Sequence, residues 1–251
     1  MSKVKVVAII PARLESSRLP NKALVDILGL PMIVHVFKRC LMARSLDSVY
    51  VATDNDKIRK TVERYGGKVI MTSPDHQTGT DRIAEAAQHI EADIIVNVQG
   101  DEALVNPVHI DKAVAGLTTS PNANVSILVN PFNKKNSTSD IKTVLNKRDE
   151  VMYFSRSDIP SDARTIEPKM LKAYHIVPFR KNFLLRYAQW EKTELEQIEF
   201  NEYLRILENG YKIQAVHVES DAVSVDTYDD LDFVIKKMKK DKLFNKYKNN
   251  L

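Results

Sequence analysis

Strand-like and helix-like segments alternate through the first half of the chain, and this alternation restricts the fold more than any other feature of the sequence. Apolar runs predict five strands, at Val4–Ile10, Ser48–Thr53, Lys68–Thr72, Asp93–Val98 and Asn124–Val129. Between them, apolar residues recur at helical spacing, for example at Ile58, Val62 and Tyr65. Near-continuous apolar strands that alternate with helices are typical of a parallel sheet covered on both faces. The sequence therefore predicts an α/β fold with a mostly parallel sheet.

The second half of the chain is less regular. Its pattern predicts strands at Ile141–Leu145, Val151–Ser155, Leu171–Phe179 and Tyr211–Val218, and helices at Lys181–Trp190, Leu195–Glu208 and Thr227–Lys240. The 251 residues contain no repeat and no low-complexity linker. A chain of this length can bury one sizeable core. We therefore expect one domain over residues 1–251, with a smaller lobe inserted at about 130–215.

Charge and cysteine content argue against several classes of protein. The formal net charge is only +4, and Lys and Asn residues crowded between Lys236 and Asn250 supply much of the excess. That segment is typical of a solvated terminus, with a nucleic-acid patch as the alternative, and we expect no nucleic-acid partner. The one cysteine, Cys40, excludes an internal disulfide. Since no apolar run has membrane-spanning length and no signal-peptide pattern is present, we expect a cytoplasmic protein with no membrane partner.

A basic loop follows the first predicted strand. Arg13, Arg18 and Lys22 lie within ten residues, together with hydroxyl side chains and two prolines. In an open parallel sheet, ligands bind beyond the carboxyl ends of the strands. Arg offers a fork of donors and Lys a point charge, so the loop suits a triphosphate, although an ordinary basic surface loop is the alternative. It lacks the glycines and the Gly-Lys-Ser/Thr ending of a Walker loop.

An acidic pair follows the fourth strand. Gly100 permits close approach of the backbone to a ligand, and Asp101 with Glu102 can hold a hard divalent cation. Glycosyltransferases place acidic residues similarly, so this signal indicates a nucleotide–metal site without fixing one reaction. An acidic turn before Pro107 is the alternative interpretation.

Two further segments combine ligand-type side chains with helix-capping patterns. Residues 72–82 offer hydroxyls, an amide and Arg82 to a base edge, but Thr80 or Asp81 could simply cap the next helix. His76 is interpreted as a loop residue rather than a general base. Near the end of the chain, a threonine and an aspartate at 227 and 230 fit a capping box. Capping leaves Asp226 unexplained, which makes it a candidate second metal carboxylate.

Taken together, these segments resemble the CMP-Kdo synthetase family, the 3-deoxy-manno-octulosonate cytidylyltransferases. The matching segments, in chain order, are IIPARLESSRLPNKALVDILGLPMIVHV, VYVATDN, GGKVIMTSPDHQTGTDR, NVQGDE, YFSRSDIP, LENGYKI and VDTYDDL. They span nearly the whole chain, with order and spacing kept. The resemblance implies a Rossmann-like nucleotidyltransferase fold whose inserted lobe serves dimerisation and substrate binding. It also implies a homodimer that uses CTP and Mg²⁺ with a sugar acid as acceptor.

The resemblance carries roles over to particular residues. Those expected to bind the nucleotide are Ala12, Arg13, Ser17, Arg18, Lys22, Thr72, Gln77, Thr80, Arg82 and Gln99. Asp101 and Asp226 match the metal carboxylates, and with Lys22 and Arg13 they form the expected catalytic set. The sugar-acid pocket is expected to contain Gln99, Arg156, His175, Glu202 and Tyr203.

The chain departs from the family pattern in that sugar-acid pocket. Ala173 and Val177 fall where the family's His-x-Gly-x-Tyr segment has its histidine and tyrosine, and Tyr203 replaces a glutamine. His175 could supply an imidazole nearby, because residues two apart in a strand share a face. The departures predict that Kdo is a poor acceptor and that a related acid with a different distal substituent is used better.

The reaction expected from the resemblance is in-line attack by an anomeric hydroxyl on the α-phosphorus of CTP, with release of pyrophosphate. Positioning and charge neutralisation dominate such a transfer. One alternative is the same transfer to another acid, such as a modified Kdo, a different ketosugar acid or a phosphonate. Others are a nucleotide-sugar glycosyltransferase, which leaves the basic loop without a role, and an inactive nucleotide-binding scaffold, which has no need of two metal carboxylates.

Overall fold

The computed structural model describes residues 3–14, 18–163, 169–220 and 223–248. The chain forms two compact units, one of residues 1–111 with 221–251 and the other of residues 112–220. The expectation of a single domain with a lobe at about 130–215 stays a prediction. Within the described ranges, no helix is both long and apolar enough to cross a membrane.

The elements follow one another in an α/β order. The strands are β1 (Val6–Ala12), β2 (Asp26–Ile27), β3 (Leu30–Pro31), β4 (Ser48–Thr53), β5 (Lys68–Met71), β6 (Ile94–Val98), β7 (Val125–Phe132), β8 (Lys142–Leu145), β9 (Val151–Ser155), β10 (Met170–Tyr174), β11 (Ile176–Arg180) and β12 (Ile213–His217). The helices are α1 (Met32–Cys40), α2 (Asp56–Arg64), α3 (Gly79–Gln88), α4 (Pro107–Thr118), α5 (Lys181–Tyr187), α6 (Glu194–Glu199), α7 (Leu204–Glu208), α8 (Tyr228–Met238) and α9 (Phe244–Tyr247). A short 3₁₀ turn, Lys22–Leu24, precedes β2.

The first unit is built on four parallel strands in the order β5-β4-β1-β6. Every residue of β1 and of β6 is buried, which explains why both read as unbroken apolar runs. β4 and then β5 lie on one side of β1, whereas β6 lies on its other side. This reversal of strand order places a crevice outside the carboxyl ends of β1 and β6. The α/β fold with a parallel sheet predicted from the sequence is confirmed.

Helices α2 and α8 of the first unit begin where their sequences provide side-chain caps. Asn55 caps α2, and its side chain accepts hydrogen bonds from the backbone N–H groups of Lys57 and Ile58. Gly66 follows the same helix with a φ of +77°, the left-handed conformation that is common after the last residue of a helix. Thr227 and Asp230 form the predicted capping box at the start of α8. These caps set the ends of the loops that reach the crevice.

The second unit is a mixed sheet with three short helices. Its strand order is β11-β7-β10-β8-β9, and β12 pairs in parallel with β7. The β10–β7, β10–β8 and β8–β9 pairs are antiparallel. Buried aromatic side chains such as Phe154, Phe179 and Tyr187 form much of its core.

Two elements that the sequence predicts as continuous are each divided into two in the structure. The strand predicted over Leu171–Phe179 is two strands, β10 and β11, separated at His175. The helix predicted over Leu195–Glu208 is two helices, α6 and α7, and Phe200 between them adopts a left-handed conformation with a φ of +48°. The period-two argument that joined His175 to the residues on either side fails as well, because the strand does not run through it.

Candidate functional site

A cleft opens in the first unit at the carboxyl ends of β1 and β6, where the strand order predicts one. Its volume is about 260 Å³. The lining residues are Pro11, Ala12, Arg13, Arg18, Lys22, Ala23, Met32, His76, Gln77, Thr78, Gly79, Arg82, Gln99, Gly100, Asp101 and Asp226. Most of the nucleotide-binding residues expected from the sequence therefore meet at one place. Ser17, which was also expected there, lies outside the described residues.

Lys22 forms the centre of this cleft with two carboxylates. Its Nζ lies 2.6 Å from Asp101 Oδ2 and 2.9 Å from Asp226 Oδ1. Arg18 adds a second cation, with Nη2 at 3.1 Å from the same Asp226 oxygen. These four side chains come from the loop after β1, the end of β6 and the residue two before α8. The fold thus collects charges that are far apart in the sequence.

The electrostatics of the centre keep Lys22 charged. Burial lowers the pKa of Lys22, but the charges and hydrogen bonds of Asp101 and Asp226 raise it by more, so the net pKa lies above the ordinary value. The side chain of Lys22 is 18% exposed. The cleft therefore presents a fixed ammonium group at neutral pH, suited to a polyanionic ligand.

The two carboxylates have the chemistry of a divalent-cation site. Their oxygens are no more than about 5.5 Å apart, because both bond to one nitrogen, at 2.6 and 2.9 Å. Among the described residues, no group of three or more His, Cys, Asp or Glu side chains is placed to hold a metal. Mg²⁺ is commonly held by one or two carboxylates, with substrate phosphates and water as its other ligands. Asp101 and Asp226 fit that donor set.

Glu102, the second member of the acidic pair noticed in the sequence, does not line the cleft. It is only 2% exposed, and one of its carboxylate oxygens accepts a hydrogen bond from Ser224. The backbone N–H of Val225 donates to the carbonyl of Asp101 at 3.1 Å. These bonds join the end of β6 to the segment before α8, which brings Asp226 next to Asp101. Glu102 therefore has a structural role, in contrast to its predicted part in a cation site.

Gly100 is required by the close approach of two backbone segments. A Cβ atom at this position would lie 2.6 Å from the carbonyl oxygen of Pro11, inside any normal contact distance. The end of β1 and the loop after β6 therefore touch at Gly100. This contact sets the distance between the basic loop and Asp101.

The segment that follows β5 is fixed mainly by Arg82. Arg82 is 4% exposed, donates to Thr72 Oγ1 at 2.6 Å and pairs with Asp54 at 3.4 Å. Thr72 and Thr80 are 8% and 1% exposed and do not line the cleft. The cap of α3 is Thr78, with Asp81 as its capping-box partner, so the alternative of a Thr80 cap is wrong.

Two amide side chains line the cleft beside this segment. Gln77 Nε2 donates to the backbone carbonyl of Asp75 at 3.2 Å, and Gln99 Nε2 donates to Asn97 Oδ1 at 3.0 Å. Each bond engages an NH₂ group, which leaves the amide oxygen as the acceptor for a ligand. The sequence missed Thr78 and His76 as lining residues. The Thr78–Asp81 spacing of a capping box was the signal for the first of these.

Apart from Gln99, which lines the cleft of the first unit, the residues expected in the sugar-acid pocket lie in the second unit. The Arg156 guanidinium donates to backbone carbonyls: Nε to Glu199 at 2.8 Å, Nη1 to Thr138 at 2.8 Å and Nη2 to Phe200 at 3.1 Å. The carboxylate of Glu199 in turn accepts from the backbone N–H of Arg156 at 2.7 Å. Arg156 therefore fastens the end of α6 to neighbouring loops.

The remaining expected pocket residues of the second unit belong to an aromatic cluster. Tyr203 is 3% exposed, and its ring stacks on His175 with ring centroids 6.0 Å apart. Ala173 and Val177 are 1% and 0% exposed. The backbone carbonyl of Glu202 accepts a hydrogen bond from the Tyr187 hydroxyl at 2.7 Å. The departures from the family pattern are thus accommodated by burial of apolar side chains.

Comparisons with known proteins agree with this geometry. A family model described as Cytidylyltransferase matches residues 7–213. The 3-deoxy-manno-octulosonate cytidylyltransferase of Geobacter metallireducens is 40% identical over 249 residues, which cover 94% of this chain and 98% of the relative. The protein of the same name from Escherichia coli is 39% identical over 225 residues, which cover 89% of this chain and 92% of the relative.

Solved structures give the same result. A structure of CMP:2-keto-3-deoxy-manno-octonic acid synthetase complexed with CTP superposes with a TM-score of 0.91 at 38% identity, covering 94% of this chain and 99% of that one. The 4-diphosphocytidyl-2C-methyl-D-erythritol synthase of Anaerococcus prevotii has a TM-score of 0.62 at 13% identity and shares the fold alone.

The parallel sheet, the basic loop and the paired carboxylates define a nucleotidyltransferase of the cytidylyltransferase class. Within that class, the chain belongs to the 3-deoxy-manno-octulosonate cytidylyltransferase family, the CMP-Kdo synthetases. The family resemblance noted in the sequence is confirmed.

Proposed function

We propose that this protein transfers CMP from CTP to a sugar acid of the Kdo class and releases pyrophosphate. The observation that carries the proposal is the cluster of Lys22, Asp101 and Asp226 at the carboxyl ends of β1 and β6. A fixed cation beside two convergent carboxylates suits a nucleoside triphosphate with its divalent cation. The CTP complex of the structure at 38% identity supports CTP as the nucleotide.

In this mechanism, the protein positions the reactants and neutralises charge. The anomeric hydroxyl of the acceptor attacks the α-phosphorus of CTP, and the bond between the α-phosphorus and the leaving pyrophosphate oxygen breaks. Arg13, Arg18 and Lys22 bind the triphosphate and offset the charge on the departing pyrophosphate. Asp101 and Asp226 would hold Mg²⁺, which when bound supplies positive charge at the phosphate oxygens and favours loss of the hydroxyl proton.

The acceptor follows from the names of the relatives and from the second unit. Curated relatives at about 40% identity act on 3-deoxy-manno-octulosonate, as their names state. Ala173 and Val177 carry no polar group where the family has a histidine and a tyrosine, and for that reason the proposal keeps a related acid as a better acceptor than Kdo. A site that hydrogen-bonds a hydroxyl can reject an analogue without it by ~10⁴-fold, whereas apolar fit discriminates by only ~10–200-fold.

A homodimer is part of the proposal. Met152, Ile198 and Phe200 of the second unit are 61%, 64% and 80% exposed, although large apolar side chains are normally buried. Exposed apolar groups of this kind support an interface on the second unit. Analytical ultracentrifugation would measure the mass in solution. A cytoplasmic location, where CTP is available, is likewise proposed.

The experiment that tests the proposal is pyrophosphate release with CTP, Mg²⁺, Kdo and a panel of modified 3-deoxy acids. Wild-type protein should release pyrophosphate only when an acceptor is present. Asp101→Asn and Asp226→Asn should each reduce turnover by roughly a hundred- to a thousand-fold, or ~3–4 kcal/mol of transition-state stabilisation.

Asp232→Asn is the matched control, because Asp232 is exposed on α8, the helix that follows Asp226. It should leave turnover unchanged. If Asp226→Asn retained full turnover at saturating Mg²⁺, Asp226 would not belong to the proposed metal site. Sugar transfer from a nucleotide sugar without pyrophosphate release would favour the glycosyltransferase alternative instead.

A further inference from the structure

His76 lines the cleft and is paired with the Glu85 carboxylate, and neither side chain has a part in the proposed transfer of CMP. His76 belongs to the loop between β5 and α3 and lines the cleft, while Glu85 lies one and a half turns into α3. His76 Nε2 is hydrogen-bonded to Glu85 Oε2. The same Glu85 oxygen accepts from the backbone N–H of Ser73 at 2.9 Å. The carboxylate is therefore anchored to the backbone, and it holds the ring in turn.

This pairing determines which nitrogen of His76 carries the proton. A carboxylate only accepts hydrogen bonds, so Nε2 is the protonated nitrogen. Burial raises the pKa of Glu85, but the bonds from His76 and Ser73 lower it by more, so Glu85 stays ionised. In the neutral ring, Nδ1 is then left as an acceptor, available to a ligand in the cleft.

The position of His76 separates it from the phosphate-binding cations. Those cations come from the loop after β1, whereas His76 comes from the loop after β5, two strands away. Neighbouring strands lie ~4.8 Å apart, so the two loops leave the sheet about 10 Å apart. The loop that carries His76 is therefore the side of the cleft that remains for the nucleoside of a nucleotide whose phosphates meet Lys22. The loop then returns towards β1, since a Cβ atom on Gly79 would lie 3.2 Å from Pro11 Cγ.

We propose that His76 is a specificity-determining residue that recognises the nucleoside of CTP, accepting a hydrogen bond at Nδ1, and that Glu85 is the residue that positions it. The proposal rests on the proposed use of CTP. The donor is an N–H or O–H group of cytidine, either the base amine or a ribose hydroxyl. At the amine position uracil carries a carbonyl oxygen, which a second acceptor disfavours. When the donor is the base amine, an acceptor held at this point selects cytosine over uracil.

Two substitutions of His76 separate the functions of its ring nitrogens. In His76→Gln the amide can donate to Glu85 from near the Nε2 position, but no acceptor remains at the position of Nδ1. In His76→Asn the amide oxygen takes approximately the place of Nδ1, but the bond to Glu85 is lost. Dissociation constants for CTP, UTP, 2′-deoxy-CTP and 3′-deoxy-CTP are measured by calorimetry, and kcat/KM for each by pyrophosphate release.

We expect His76→Gln to lower the preference for CTP over UTP at least tenfold. His76→Asn should retain a higher preference for CTP than His76→Gln does. If the donor is a ribose hydroxyl, the preference for CTP over one deoxy analogue collapses in His76→Gln instead, while the CTP:UTP ratio stays constant. His89→Gln is the matched control, because His89 is exposed at the end of α3 and does not line the cleft. It should change no preference.

Equal weakening of all four nucleotides by both His76 variants would overturn the proposal, because a purely structural residue gives that result. Unchanged preferences in both variants would overturn it too. If His76→Gln does not fold, as judged by circular dichroism, Glu85→Gln takes its place and should also lower the preference for CTP. Calorimetry measures CTP binding without an acceptor, so it tests this inference independently of the proposed reaction. A wild-type protein that binds CTP but shows no turnover with any acceptor would refute the proposed reaction, and the nucleotide preferences of the His76 variants would still decide the inference.

Discussion

A buried histidine in α1 predicts a specific loss of stability at mildly acidic pH. His35 is 0% exposed, its Nε2 lies 2.8 Å from the carbonyl of Ile27, and its Nδ1 lies 2.8 Å from the Tyr247 hydroxyl. Because a carbonyl only accepts, Nε2 carries the proton and Tyr247 donates to Nδ1. The ring is therefore neutral and ties the turn before α1 to the C-terminal helix α9. Burial, with the nearby Arg39 charge, lowers the pKa of His35 to about 4.

The sign and size of the effect follow from proton linkage. Between the unfolded pKa of ~6.5 and the folded pKa of about 4, the unfolded chain binds a proton that the folded protein excludes. Stability contributed by the neutral ring is therefore complete above pH ~6.5 and falls as the pH is lowered through that window. The contribution of His35 should fall by about 2 kcal/mol between pH 7 and pH 5, and by ~3 kcal/mol below pH 4.

The assay compares urea unfolding of wild-type protein and His35→Gln at pH 7 and pH 5. Gln can still donate to the Ile27 carbonyl but does not titrate, so other acid-sensitive groups cancel in the comparison. Wild-type protein should lose about 2 kcal/mol more than the variant over this range. Equal losses in the two proteins would refute the argument, because they would mean that His35 is already protonated or is solvated in the folded state.

Two further predictions concern packing and a buried ion pair. Gly100→Ala places a methyl group 2.6 Å from the Pro11 carbonyl oxygen, so it should displace Asp101. Turnover of CTP, measured by steady-state kinetics, should fall at least ~10-fold. A wild-type rate would contradict the assigned contact. Glu196→Ala leaves Arg205, which is 3% exposed and paired with it at 2.6 Å, as a buried unpaired charge. The free energy of unfolding in urea should fall by ~3–5 kcal/mol, and a loss below ~1 kcal/mol would show that water reaches Arg205.

The parallel sheet was predictable because local pattern and tertiary environment agree there. Strands buried on both faces require continuous apolar runs, and the predicted bounds of Ser48–Thr53 are those of β4. The predicted bounds of Val151–Ser155 are also those of β9, although this strand is antiparallel and its Met152 is 61% exposed. Starting from such strands, the rule that ligands bind at carboxyl ends was enough to select the loops at Arg13 and Asp101.

The breaks at His175 and Phe200 were not predictable, because their causes are not local. The backbone carbonyls of Glu199 and Phe200 accept hydrogen bonds from Arg156, more than 40 residues away in the chain. Phe200 also adopts a left-handed φ without being Gly or Asn, the residues that usually mark such a position. Pro178 and Asn201 lie near these breaks, but neither fixes the residue at which an element ends, whereas the bonds from Arg156 to Glu199 and Phe200 mark the end of α6.

The segment around Asp226 combines a helix cap with a carboxylate that lines the cleft. Thr227 and Asp230 complete the cap of α8, which confirms the capping interpretation, whereas the metal-carboxylate interpretation of Asp226 stays a prediction. Two carboxylates this close would repel each other, and Lys22 between them, with Arg18 on Asp226, brings the formal charge of the four groups to zero. The basic loop therefore has a second role besides its proposed binding of a triphosphate, because it neutralises these two carboxylates. Its cations hold together the two carboxylates proposed to bind Mg²⁺, although Lys22 and Asp226 are separated by 204 positions in the sequence.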